Sequence, residues 1–175
     1  LSGCVRRAVA GEPSSYKGVT FIPFVVPHDA TETVGYFIDF YGVKITFLTD
    51  VGDVTDDVVK YCSLSDYVVF ESNYDLDMLL GGSYPPELKV RIIQGHGHLS
   101  NEQAASAVKR FWHKGLKHIF LCHLSENNNT PALAHSSIAK ALKSLGVDIN
   151  SQTKITCLPR RTTSELFFLE VGTRV

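Results

Sequence analysis

The sequence predicts an α/β domain built on a mixed sheet, and three observations carry that expectation. Apolar runs rich in β-branched and aromatic residues come first along the chain, and further runs then alternate with helix-like segments. Those segments open on residues that cap helices, such as Thr55, Ser100 and Thr130. The 175 residues are 44% hydrophobic and 20% charged, the composition of one ordinary domain with a sizeable core.

Residues 1–18 are polar, carry Gly, Pro and Ser, and are expected to form a loop-like opening segment, leaving residues 19–175 as the domain. From Val19 the run VTFIPFVVP reads as a strand, because branched and aromatic side chains fit a pleated surface. Val34–Phe40 and Val43–Thr49 follow as a pair of strands around a tight turn at Tyr41-Gly42. Thr55-Asp56-Asp57 opens a short helix, with acids placed where the helix dipole favours them. Asp66–Glu71 is a strand, and Asp75–Leu80 a helix stopped by Gly81-Gly82. Ser100-Asn101-Glu102-Gln103 has the form of a capping box, and Ala104, Ala107, Val108 and Phe111 then fall on one helical face. Lys117–Cys122 is a strand. Thr130-Pro131 starts a helix whose apolar face runs from Ala134 to Leu145 and ends at Gly146. Two last strands are expected near Lys154–Leu158 and Glu165–Val171.

Charge and cysteine usage narrow the function classes. Seventeen basic residues against eighteen acidic ones give a net charge of −1, too balanced for a broad non-specific coat on duplex nucleic acid. The four cysteines are scattered without a CxxC pair and read as small buried hydrophobes in a reducing compartment. The sequence shows no signal peptide and no apolar run near the roughly 20 residues that span a bilayer, so a cytoplasmic location without membrane contact is expected.

The chemistry-bearing residues stand at the ends of apolar segments. His28 follows VTFIPFVVP, Asp50 follows KITFLT, Glu71 follows DYVVF, His98 precedes the capped helix and His123 follows HIFLC. Strand ends deliver side chains to a common cleft, and His with Asp is a ligand set suited to zinc. The wide spacing of these residues excludes a zinc finger, whose ligands form local pairs. His96, although it makes a formal HxH with His98, reads as a loop residue.

These residues carry a resemblance. PHDATETVGY, TDVG, ESNYD, GHLSN and CHLSENNNTP resemble successive motifs of the metallo-β-lactamase fold, in the branch of metal-dependent hydrolases related to tRNase Z. The resemblance covers Val19 to Val175 and implies the later two-thirds of an αββα sandwich. It implies that His28 is a ligand of a first divalent ion, that Asp50 bridges two ions, and that His123 is a ligand of the second. It makes Glu71 and His98 a proton relay, and Ser125 and the Asn127–Asn129 run, with Asn128 at its centre, substrate-loop residues. Arg160 and Arg161 are the basic residues best placed for a phosphate. The implied function is a metal-dependent phosphodiesterase or nuclease acting on DNA or RNA through a hydroxide activated by two zinc or manganese ions. Ester or thioester hydrolysis is the variant within enzymes, and a homodimer is left open.

One departure is large: the HxHxDH motif of that fold does not occur in the 175 residues. Each ion would keep one His plus the shared Asp50, where catalytic zinc sites usually have three protein ligands. The chain by itself is therefore expected to bind metal weakly or substoichiometrically and to be inactive, and apolar strand faces are expected to lie exposed. A chain that continues upstream of Leu1 is the reading adopted. A partner chain supplying the motif, or a metal-free module acting by binding, are the alternatives.

Overall fold

A computed structural model describes residues 7–94 and 97–170. Cys4 and His96 lie outside the described residues. Seven strands form one sheet whose spatial order follows the chain. They are β1 (Ser14–Tyr16), β2 (Val19–Val25), β3 (Val34–Phe40), β4 (Val43–Leu48), β5 (Tyr67–Glu71), β6 (His118–Cys122) and β7 (Lys154–Cys157). Strands β1 to β4 are an antiparallel meander, and β4 to β7 are parallel.

Parallel neighbours need crossover connections, and helices supply them: α1 (Asp56–Ser63) before β5, α2 (Leu76–Gly81), α3 (Pro86–Gln94) and α4 (Asn101–Phe111) before β6, and α5 (Pro131–Ser144) before β7. Because each parallel strand is added on the same side of the last, crossovers of one hand put their helices on one face of the sheet. The main core lies there: Phe24, Leu48, Phe70 and Leu121 from the sheet meet Val58, Val108, Phe111 and Ile138 from α1, α4 and α5. On the opposite face Val43, Tyr67, Val69 and Phe120 form a smaller cluster covered by Leu158 and Phe167, while Tyr36, Phe40 and Phe47 of β3 and β4 are exposed.

Local signals explain most boundaries. Thr55, Asp75, Ser100 and Thr130 each accept a main-chain N–H as helix caps, and the Ser100–Gln103 capping box is closed in both directions. Tyr41 and Gly42 both have positive φ, 53° and 91°, the backbone of a two-residue turn whose twist suits a hairpin. Lys17-Gly18 does the same at 49° and 82°, which corrects the expected loop: residues 14–16 pair with β2 as an edge strand. Helix α3 was not expected, because Pro85-Pro86 and the absence of a capping side chain hid its i, i+4 pair Leu88 and Ile92. The strand expected at Glu165–Val171 is not formed over its described residues. Phe168 there is 86% exposed, and Glu170 is held through its main chain by the Tyr67 hydroxyl and Lys117 rather than by a ladder.

His118 gives this fold an acid-sensitive joint. Its ring stacks on Phe120 with centroids 4.0 Å apart and its Nε2 pairs with Thr156 Oγ1 at 2.8 Å. Burial, and then Lys154, push its pKa down to about 4. As pH falls below about 6.5 the unfolded chain takes a proton that the folded chain refuses until about pH 4, so the stability His118 contributes at neutral pH is lost across that window. The slope is below about 1.4 kcal/mol per pH unit, since the ring is partly exposed. Urea unfolding at pH 7 and pH 5 should show a smaller acid loss in His118→Gln than in the parent. Equal losses would remove His118 from the account.

Candidate active site

The parallel strands β4, β5 and β6 end at the same edge of the sheet, where Glu71 closes β5, His123 follows β6 and Asp50 stands two residues beyond β4. The loop after β2 brings His28 to this edge, and the turn before α4 brings His98. Elements distant in sequence therefore converge for a topological reason.

Glu71 organises the cluster. It is 0% exposed and accepts at both oxygens. Oε1 lies 2.8 Å from His98 Nδ1 and 2.8 Å from His123 Nδ1, and Oε2 accepts Leu99 N–H at 3.0 Å and Val51 N–H at 3.1 Å. A carboxylate can only accept, so both histidines carry their proton on Nδ1 and keep Nε2 as the nitrogen able to bind or exchange. The His123 pKa is raised, chiefly by the hydrogen bond to Glu71, against burial and with help from Asp50. The same charges, added to burial, push the Cys122 thiol up to about 12.

His28 enters from the other side. Its Nδ1 donates to Gly97 O, and Nε2 lies 3.4 Å from Asp29 Oδ1 and 3.8 Å from Asp50 Oδ1. Asp50 Oδ1 is also 3.5 Å from His123 Nδ1. Arg91 at 2.9 Å holds the Asp29 carboxyl below its usual pKa. His123 itself sits at φ 56°, a left-handed conformation unusual for a histidine, and Asn73 Nδ2 donates to its carbonyl at 2.7 Å.

The donor set fits a divalent ion. Ligand atoms of Asp50, His98 and His123 lie within 4.8 Å of one another, near enough to share one ion, whose donors sit about 2.0–2.2 Å from it, after small side-chain adjustments. His28 joins through Asp50. Glu71 behind two of these histidines is the outer carboxylate that fixes a ligand's tautomer and orientation.

A cleft of about 360 Å³ opens beside the cluster, and His98, His123, Ser125, Asn128 and Arg160 line it. Arg161 is not among its lining residues: it pairs with Glu126 at 2.6 Å, while Arg160 donates to Leu124 O at 2.8 Å. Sequence reasoning missed Asp29, Asn73 and the buried amide Asn101; it named Asn129 within the Asn127–Asn129 run but not its partner, and Asn101 and Asn129 bond reciprocally at 3.0 and 2.9 Å and tie the 72–73 turn to the start of α4. Single polar residues in loops carry no periodicity. The only signal for Asn129 was its place in the Asn127–Asn129 run before a helix cap.

A mixed sheet with its helices on one face, and a His/Asp/Glu cluster at the carboxyl edge of its parallel strands, defines a metallo-β-lactamase-type fold. The chain belongs to the beta-lactamase superfamily: residues 5–124 match the Lactamase_B_2 family, the beta-lactamase superfamily domain. It is 34% identical over 145 residues to the exodeoxyribonuclease YycJ of Bacillus anthracis, covering 83% of this chain and 55% of the relative. It is 35% identical over 142 residues to the exodeoxyribonuclease WalJ of Streptococcus pneumoniae serotype 2, covering 79% and 53%. The chain thus spans about half the length of the curated relatives it matches. The metallo-β-lactamase fold protein YhfI of Bacillus subtilis superposes with a TM-score of 0.57 at 12% identity, over 83% of this chain and 48% of that one. Zinc-bound PqqB of Methylobacterium extorquens does so at 0.57 and 17%, over 92% and 55%. These two likenesses show the fold, as the motif order led one to expect. Among the described residues no helix is long and apolar enough to cross a membrane.

Proposed function

We propose that the complete protein is a metal-dependent phosphodiesterase of nuclease type. The observation that carries the reading is the Glu71–His98 pair, 2.8 Å apart, with its carboxylate wholly buried and its imidazole 29% exposed in the cleft. The names of the relatives, exodeoxyribonucleases, favour DNA over RNA as substrate.

His28, Asp50 and His123 are the residues assigned to hold metal, with zinc or manganese as the expected ion. When bound, such an ion supplies Lewis-acid stabilisation of phosphate charge and acidifies water in contact with it. The chain's own residues do the rest. His98, with Nδ1–H committed to Glu71, turns Nε2 towards the cleft, where it can pass a proton taken up from solvent to the leaving oxygen. Ser125, Asn128 and Arg160 offer donors along the cleft for the strand. Arg161, engaged by Glu126, is kept as a phosphate contact at its rim.

The complete protein, loaded with zinc or manganese, should cleave DNA and lose that activity to a chelator. Single- and double-stranded DNA and RNA, a carboxylic ester and a thioester make up the panel. No cleavage of any nucleic acid with either metal, or a preference for the ester or thioester, would overturn the proposal.

A further inference from the structure

One wall of the cleft has no part in the chemistry above. Tyr84, Leu88 and Ile92 line it, the last two one turn apart on α3. The wall is anchored at both ends. Lys89 Nζ donates to Leu80 O and Gly82 O, each at 2.7 Å, and Arg91 pairs with Asp29 beside His28. Asn127 Nδ2 donates to the Tyr84 hydroxyl at 3.4 Å.

Asn128 lines the same cleft with its side-chain amide unspent. It is 2% exposed, its main-chain N–H goes to Ser125 Oγ and its carbonyl accepts from Asp75, yet its side-chain amide has no partner among the described residues. A nearly buried amide offers an adjacent donor and acceptor, and an unpaired one in a cleft calls for a ligand with the complementary pair. A volume of about 360 Å³ lies at the small end of ligand sites, room for one nucleoside unit and not for a duplex.

We propose that this cavity takes one unpaired terminal base of a DNA strand, packed against Tyr84, Leu88 and Ile92 and met on its edge by the Asn128 amide. The inference rests on the nuclease reading for its ligand class. It makes Tyr84 and Asn128 positioning and specificity residues: they seat the strand end so that the phosphodiester next to it reaches His98. An aromatic ring accepts any base, because every base has a π-face, so Tyr84 supplies affinity while Asn128 supplies preference between bases.

The test uses the complete protein in chelator with an oligonucleotide ending in 2-aminopurine, whose fluorescence falls when the base stacks. Binding should quench it. Tyr84→Ala should abolish the quench and weaken binding about 5- to 100-fold, the range of one base–aromatic stack. Tyr84→Phe should retain both, and an oligonucleotide with an abasic end should bind parent and Tyr84→Ala equally. Asn128→Ala should keep the quench and level the affinities for different terminal bases. Fluorescence that does not change on binding, or an abasic end bound as tightly as a base, overturns the inference. A quench that persists in protein unable to cleave any phosphodiester when metal-loaded supports the base site and removes only the nuclease reading. Cleavage without a quench does the reverse.

Discussion

Glu71→Gln is expected to lower turnover of a phosphodiester by about 10²- to 10³-fold while changing KM little. Glu71 accepts from two imidazole Nδ1–H groups and two main-chain N–H groups. Glutamine keeps the shape but turns one oxygen into a donor, so it faces either both histidines or both backbone N–H groups with a like-signed hydrogen. Whichever way the amide settles, the cluster loses a charge and at least one pair of hydrogen bonds in a fully buried place. A stability loss of about 2–4 kcal/mol should accompany the kinetic one. Urea unfolding read beside kcat separates the two effects. His98→Ala should lose turnover by a similar factor without the stability loss, because the imidazole is partly exposed. The leaving group gives the sharper readout. A p-nitrophenolate departs without a proton, so the His98→Ala defect should shrink on a p-nitrophenyl phosphodiester and be full on DNA. An equal defect on both substrates would take the proton-donor role from His98. Loss of metal from His98→Ala would make it a ligand instead, in keeping with its place within 4.8 Å of the Asp50 and His123 donor atoms.

Asp50→Ala should weaken metal binding by at least about 100-fold and reduce activity by more than about 10³-fold in the complete protein. Asp50 Oδ1 lies between His28 and His123, 3.8 and 3.5 Å from their nitrogens, so its carboxylate faces candidate ligands from both sides of the site. Its carboxylate is 37% exposed and meets those histidines and the Thr49 hydroxyl. Removing it should therefore leave metal-free stability within about 1 kcal/mol of the parent. Metal analysis after dialysis, with thermal unfolding in added zinc or manganese, reads this directly. Ions that bind the folded state raise the midpoint of the parent, and the rise should vanish in Asp50→Ala. A variant that keeps its full metal content would refute the ligand assignment.

How much of this was legible beforehand varies with the kind of signal. Periodic apolar faces and capping residues act locally, so α1, α4 and α5 and strands β2 to β6 were readable within a residue or two. The chain around Glu165 to Glu170 carries a short apolar run that reads like a strand, but its described residues pair with no sheet edge, and pairing is a property of the sheet and not of the segment. Helix α3 failed for the opposite reason: its start lacks a cap, and its weak face is directed to a cleft instead of the core. The residues of the candidate site were visible because strand ends punctuate apolar runs with single ionisable groups. Their partners were not. That Glu71 holds His123 as well as His98, that Asp29 is held by Arg91, and that Asn128 is left with an unpartnered amide all follow from loops brought together by the sheet order.

By itself, then, the order of residues determined the strands, the capped helices and the set of His, Asp and Glu positions, since each depends on neighbours a few residues away. Only the tertiary structure decided which of those groups touch, which nitrogen of each histidine carries the proton, and what the cleft wall presents. Those depend on parallel strands ending at one edge and on a buried carboxylate that has four donors within reach and can accept from them all.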